Sequence, residues 1–550
     1  MYKWNTNNII DATGGREVGG CNWIHNSNIS TDTRSIKKGD LFIALKGKNF
    51  DGHNFLHEAF LKGAVAAVVS EDKYRNLPII VVQDTLKALH DMASYYVRNV
   101  LVNAKVIAIT GSVGKTTTKD MLLTVLSQHG VSHVNESNLN NNIGLPLTIL
   151  KAPENCQYLI LEMGMNKAGE IKELSKISNP NIAVITNIEP THVENFSSLF
   201  DIAQAKLEVL HGMKNNGTLV LNRDSKYYDY LSSHANRNII SFGKDKNAEV
   251  CLLDIISNDK SSVIPAPSSV VPTPSSVIPV PRHWDPKNLI ASEYIRRLYN
   301  KDWIPVSSTG MTPSTTQTTC KLQCLYTKAS SAGMTSSRVA DLLLEQQLRN
   351  NERLSLKIRL NNNQIINCNL RVQGKHFAYS LLAVAAVVQS LGLDLSKLPL
   401  ALEDFSVTKG RGNVHKVKYN GKYIHLIDDS YNASPASMKA AIKTLSTYSD
   451  QRKVALLGDM LELGGESIKF HTELLNFIIK YNVNKVYTVG KFMLELYRFL
   501  PDSIKGAHFN DSNQLKSDLA NIIQNNDVIL VKGSRGMKMD LIVQEFIIEY

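Results

Sequence analysis

The stretch Val106-Ile107-Ala108-Ile109-Thr110-Gly111-Ser112-Val113-Gly114-Lys115-Thr116-Thr117-Thr118 decides how this chain folds and what it holds. The apolar run Val106–Ile109 reads as a buried strand. Two glycines mark a tight turn, and Lys119-Asp120-Met121-Leu122-Leu123 opens a helical pattern that ends near Gly130. Strand, Gly-rich turn and helix N-terminus together form an anion cradle, because unpaired backbone N–H groups and the helix dipole both favour phosphate. Lys115 would set a point charge against the β/γ-phosphates of ATP, and the Thr116 hydroxyl would suit Mg²⁺. Ile109 stands where a full G-x-x-x-x-G-K-[ST] motif has its first glycine, so this is the shorter T-G-x-x-G-K-T-T form. Gly111, Ser112, Val113, Gly114, Lys115, Thr116 and Thr117 are the candidate phosphate contacts.

Outward from this motif, apolar strands alternate with helical segments at Val106–Thr110, Tyr158–Met163, Ala183–Asn187 and Thr218–Asn222. Unbroken apolar strands between helices predict a parallel sheet covered on both faces. A second alternation at His425–Asp429, Val454–Gly458, Lys485–Gly490 and Asp527–Lys532 predicts another doubly wound sheet. Before residue 103, short apolar runs at 40–45, 64–69 and 79–82 predict a smaller α/β domain. The expected architecture is therefore α/β in three domains: a small N-terminal domain over 1–102, a central P-loop domain over 103–409 and a Rossmann-like domain over 410–550. Glu162 and His192 each follow a strand of the central sheet, where α/β sites form, and are candidate Mg²⁺ ligands with Thr116. Lys206, within Ala203-Gln204-Ala205-Lys206-Leu207-Glu208, reads by itself as a solvated helical lysine.

Bulk properties narrow the class. There is no N-terminal apolar targeting segment and no apolar run of eighteen residues, so a cytoplasmic protein without a membrane span is expected. Six cysteines lie scattered without a C-x-x-C pair, which suits free thiols. The net charge of +11 suggests nucleic acid, but its distribution argues against it: residues 260–349 alone carry a net of +5. That same region is compositionally odd. Residues 261–281 are three Ser-Ser-Val-x-Pro-x-Pro heptads, and nine of the 17 prolines fall between 265 and 313. Prolines at this density block helix and weaken strand pairing, so 257–349 is expected to be a Pro/Ser-rich, largely disordered insertion in the central domain. Two short helical patterns, 289–299 and 337–348, interrupt it.

Further stretches carry a family resemblance. They are Asp32-Thr33-Arg34, Lys38–Gly47, Asp51-Gly52-His53, Asn141–Pro146, Glu162-Met163-Gly164, Gly410-Arg411-Gly412, Asp428-Asp429-Ser430-Tyr431-Asn432-Ala433-Ser434-Pro435, Gly458–Gly464 and Lys532-Gly533-Ser534-Arg535-Gly536. With the P-loop, His192 and Ala205–Glu208, these resemble the Mur ligases, the ATP-dependent amide-forming enzymes of peptidoglycan precursor synthesis. The Asp428–Pro435 and Gly458–Gly464 stretches, and the lack of Asp-Asn-Pro-Arg, resemble the last ligase of that series. The resemblance implies a reaction between UDP-MurNAc-tripeptide and D-Ala-D-Ala in a monomer, and leaves open whether the tripeptide ends in diaminopimelate or lysine. It implies ATP and two Mg²⁺ ions, a carbamylated Lys206, catalytic roles for Lys115, His192 and Arg411, nucleotide contact by Asp429, and substrate contacts by Thr33, Arg34 and Asn432. Competing readings are another ligase of the superfamily, such as the preceding Mur enzyme or a folylpolyglutamate synthase, and a nucleotide-binding protein that has lost catalysis. Where the family has G-x-H-N-x-x-N beside adenine, this chain has Gly374-Lys375-His376-Phe377-Ala378-Tyr379-Ser380, so altered adenine contacts with Phe377 near the base are expected.

Overall fold

The strand predicted from Val106 becomes Lys105–Thr110 in the middle of a nine-stranded sheet in the computed structural model, which describes residues 2–20, 28–47, 49–74, 76–136, 138–191, 193–257 and 354–548. The strand order is Ile365–Leu370, Leu354–Arg359, Val250–Ser257, Asn238–Gly243, Thr218–Asn222, Ile182–Ile185, Lys105–Thr110, Tyr158–Glu162 and Ser132–Val134. Alternate residues of Lys105–Thr110 serve opposite faces, as the pleat requires. Val106 and Ala108 join one core cluster with Leu159, Ile171 and Leu174. Ile107 and Ile109 join another with Met121, Leu122 and Leu381. The helix Phe377–Ser390 in that second cluster is apolar nearly all round and is buried accordingly.

The central sheet is not wholly parallel. Seven strands, Val250–Ser257 included, pair in parallel, and Leu354–Arg359 and Ile365–Leu370 continue the sheet antiparallel from Val250–Ser257 at one edge. Residues 365–370 alternate exposed and buried, which is the pattern of a one-faced antiparallel edge strand. Ser257 lies opposite Leu354 in this pairing, so the chain leaves the sheet at 257 and re-enters beside it at 354. The heptads and the two short helical patterns expected between them lie outside the described residues.

The N-terminal segment builds a five-stranded sheet in the order Arg16–Val18, Ile79–Val81, Ala66–Val69, Leu41–Ile43, Ile29–Ser30. It shares a hydrophobic core with the central sheet. Trp4, Leu89, Met92 and Tyr96 pack in the cluster that holds Leu145, Ala152 and Leu159. The helix Thr85–Asn99, capped by Asp84, carries most of that contact, and the Tyr96 hydroxyl donates to the Ala152 carbonyl at 2.7 Å. The third sheet has six strands: Asn413–Tyr419, Lys422–Asp429, Val528–Lys532, Lys453–Gly458, Lys485–Val489 and Lys505–Phe509. All its pairings are parallel except the first hairpin. Among the described residues, no helix is long and apolar enough to cross a membrane.

Candidate active site

The C-terminal ends of the central and third sheets face one cleft of about 900 Å³. On the central wall, the P-loop turn follows Thr110 and the helix Lys115–Leu126 begins at once. Gly111 has φ +139°, and a Cβ there would meet Thr186 Oγ1 at 2.0 Å, so only glycine fits. Gly114, with φ +87°, forms the helix N-cap. Ser112 is pinned by two bonds with Glu189, and the Thr186 hydroxyl donates to the Val113 carbonyl at 2.7 Å. Residues Ser112 to Thr118 line the cleft, with Gly111 behind them. Lys115 folds over the loop and donates to the carbonyls of Gly111 at 2.8 Å and Ser112 at 3.2 Å.

Glu162 ends its strand directly beside this turn. Its Oε2 accepts from the Thr116 hydroxyl at 2.8 Å, and its Oε1 accepts from Asn140 Nδ2 at 2.9 Å. Asn135 fixes the Glu162 backbone from both sides, donating to its carbonyl and accepting from its N–H. The two asparagines carried no signal in the sequence, because an Asn in a loop has many uses. His192 lies outside the described residues, while its neighbour Thr191 lines the cleft.

Lys206 overturns the reading of a solvated helical lysine. Its side chain is about 1% exposed and points into the cleft wall. Burial, reinforced by the charge of Lys115, drives its ammonium far below the usual lysine range. Burial also lowers Lys115, with the Glu162 carboxylate opposing that shift. Among the described residues, Lys206 forms no ion pair. A helical repeat taken alone cannot reveal which lysine the tertiary packing covers.

The opposite wall comes from the third sheet. Asp429 and Lys532 are register partners at the ends of adjacent parallel strands and pair at 2.7 Å. Burial raises the Asp429 carboxyl, while Lys532 and Arg411 pull the other way. Lys532 also donates to the Asn432 carbonyl at 2.9 Å, and Asn432 lines the cleft. The Arg411 guanidinium lies over the Tyr431 ring at 4.2 Å from its centroid, and Arg535 lies 5.6 Å from the same ring. The strand-end position was legible for Asp429; the roles of Tyr431, Lys532 and Arg535 were not, although all three stood within the recognised stretches.

Two expectations require correction or qualification. Phe377 does not line this cleft. It is about 1% exposed within the central core, because the helix Phe377–Ser390 turns that residue inward. The cleft is lined there by His376, Tyr379, Ser380, Asn222 and Asp224, with the Tyr379 hydroxyl donating to Asp224 at 2.8 Å. Thr33 and Arg34 do not line this cleft. Thr33 is buried in the N-terminal sheet region, and exposed Arg34 is held bidentately by Asp32, whose carboxyl it lowers to about 2.

An anion cradle on one wall and cations on the other define a P-loop nucleotide-dependent enzyme in which two α/β sheets close on one site. Residues 25–98 match the Mur ligase family catalytic domain, 109–275 the Mur ligase middle domain, and 410–535 the Mur ligase glutamate ligase domain. The UDP-N-acetylmuramoyl-tripeptide–D-alanyl-D-alanine ligase of Rickettsia prowazekii is 30% identical, covering 99% of both chains. The ligase of the same name from Buchnera aphidicola subsp. Baizongia pistaciae is 33% identical over 95% of this chain and 92% of its own. A crystal structure of MurF from Acinetobacter baumannii superimposes with a TM-score of 0.74 at 25% identity, covering 99% of each chain. This chain belongs to the Mur ligase family.

Proposed function

We propose that this chain joins D-Ala-D-Ala to UDP-MurNAc-tripeptide at the expense of ATP, giving UDP-MurNAc-pentapeptide for peptidoglycan synthesis. The observation that carries the reading is near full-length similarity, at 30% and 33% identity, to ligases of that one specificity. The cleft geometry supplies the means. The substrate carboxylate is a poor electrophile, so it first attacks the γ-phosphorus of ATP and forms an acyl phosphate as ADP leaves. The amine of D-Ala-D-Ala then attacks the acyl carbon, loses a proton, and inorganic phosphate departs. Lys115 and the backbone N–H groups of residues 111–117 hold the phosphates in line for the first step. Arg411, held over the Tyr431 ring, sets positive charge against the negative charge that develops on the transferring phosphoryl group and then on the tetrahedral intermediate. Asp429 contacts the nucleotide from the same wall, and Asn432 orients the peptide substrate. Closure of the two walls excludes water that would otherwise hydrolyse the acyl phosphate.

The residues present fit Mg²⁺. Thr116 Oγ1 and Glu162 Oε2 are hard oxygen donors already converged at 2.8 Å, and Mg²⁺ takes few protein ligands when phosphates supply the rest. Glu162, Thr116 and His192 would hold up to two such ions, which supply charge neutralisation on the phosphate oxygens. Lys206 fits carbamylation, because the reaction with CO₂ needs a neutral amine and burial favours that form. The new N–C bond costs the amine one proton and leaves an anion close to Lys115. The three sheets support a division of labour over residues 1–102, 103–409 and 410–550, with the first, including Thr33 and Arg34, holding the UDP end. One chain's own residues complete the cleft, which supports action as a monomer, in the cytoplasm where UDP-linked precursors are made.

The test is phosphate release by the purified chain with Mg-ATP and UDP-MurNAc-tripeptide, with and without D-Ala-D-Ala, following the UDP product by mass. Dipeptide-dependent release with pentapeptide formed is the expected result. ATP binding without any product would instead favour a chain that has lost catalysis.

A further inference from the structure

The cations lining the cleft are Lys115, Lys206, Arg411, Lys532 and Arg535. Four are committed. Lys115 caps the phosphate loop, Lys206 is buried beside it, Lys532 is clamped to Asp429 at 2.7 Å, and Arg411 is half-buried over the Tyr431 ring at 4.2 Å from its centroid. Arg535 is different. It is exposed to the cleft, and among the described residues its guanidinium forms no ion pair. Its backbone is nevertheless firmly held. The preceding Ser534 donates its N–H to the Asp459 carbonyl at 2.9 Å, and its hydroxyl accepts from the Leu461 N–H at 2.9 Å. On one side stands Tyr431, whose N–H donates to the Gly410 carbonyl at 3.0 Å and whose ring centroid is 5.6 Å from the guanidinium. A hydrogen-bonded 3-10 turn, Arg535–Met537, thus presents into the cleft an exposed planar cation that forms no ion pair among the described residues.

We infer that Arg535 holds the free C-terminal carboxylate of the incoming dipeptide. This rests on the reaction proposed above. The phosphate cradle lies on the central wall, so the acyl phosphate presents its carbonyl away from that wall. The attacking amine must approach from the third-sheet side, and the unreacting end of the dipeptide then lies along that side, where Arg535 stands. That end is a carboxylate throughout the reaction, and the guanidinium fork matches it with two parallel N–H···O bonds. Holding a group that does not react places the amine and adds selectivity for a free dipeptide over a capped one.

The experiment compares D-Ala-D-Ala with D-alanyl-D-alaninamide, which keeps the amine and loses the carboxylate, in the unmodified chain and in Arg535→Gln. The unmodified chain is expected to favour the acid by about 30-fold in kcat/KM, in line with a hydrogen-bonded charge pair. Arg535→Gln should bring that ratio to within about threefold of unity, chiefly by raising KM for the acid. Arg535→Lys, which keeps a charge without the fork, should restore part of it. A purely structural role would slow both acceptors alike, and an unchanged ratio in Arg535→Gln would overturn the inference while leaving the ligase reaction standing. No product from either acceptor with the unmodified chain would overturn the reaction itself and this inference with it.

Discussion

Two buried lysines face each other across the cleft, and their surroundings assign them opposite duties. Lys532, about 2% exposed, stands at a strand end beside Asp429 and pairs with it at 2.7 Å. Lys206, about 1% exposed, has no ion pair among the described residues and lies near a second cation, Lys115. A buried lysine with a carboxylate partner acts as a clamp, here tying the Asp429 strand to the Asn432 turn. A buried amine without one is pushed toward neutrality, which makes it a nucleophile. The same residue type, at nearly equal burial, is paired on one wall and on the other is pushed toward the neutral form that the proposed carbamylation needs.

The sharpest way to break this comparison is at Lys206. Lys206→Arg keeps a long basic side chain but cannot form the carbamate, and phosphate release should fall by about 10²–10³-fold, the scale of losing one preorganised charged group. Lys206→Met should lose activity equally while raising the melting temperature, because it removes a buried amine that has no ion-pair partner among the described residues. The pH dependence has a definite sign. The folded chain binds the Lys206 proton less readily than the unfolded chain, whose reference value is 10.5. Stability should therefore rise with pH from the lowered folded value up toward 10.5, and Lys206→Met should flatten that rise in thermal melts made in CO₂-free buffer. An unchanged slope would remove Lys206 from the account.

Glu162→Gln tests the central wall at lower cost to the fold, since Gln can still bond Asn140 and Thr116. The Mg²⁺ concentration for half-maximal phosphate release should increase by about 10–100-fold, with little change at saturating metal. Asp429→Asn tests the clamp. It strips Lys532 of its carboxylate and should destabilise the chain by about 2 kcal/mol in urea melts, below the full figure for a buried pair because Asp429 borders the cleft. Asp429→Asn with Lys532→Met should recover part of that loss. The smallest effect is expected at the junction of Ser257 and Leu354. Joining Ser257 to Leu354 through an Asn-Gly turn, in place of residues 258–353, should leave kcat/KM within about twofold and not lower stability, because the two strands already face each other and a two-residue turn closes them at little entropy cost.

The strands around the P-loop were legible because a covered parallel sheet demands continuous apolar runs; Thr218–Asn222 was predicted with its observed ends, and Lys105–Thr110 within a residue. The antiparallel edge was not foreseen, since a strand's direction depends on its neighbour and not on its own residues. Phe377 illustrates a second limit. Its motif position suggested the base, but the rotation of a largely apolar helix turned it into the core and left Tyr379 at the cleft.

What the chain determines by itself is local: glycine where the phosphate turn requires positive φ, a helix start immediately after it, apolar runs of strand length, and carboxylates at strand ends. These follow from backbone sterics and hydrophobic periodicity, which act over a few residues. Only the tertiary structure decides which groups are desolvated and which find partners. Lys206 is driven toward neutrality, Lys532 is paired to Asp429, and Arg535 is left for a ligand because residues far apart in sequence exclude water from one lysine, bring a carboxylate to another, and leave the arginine open to the cleft.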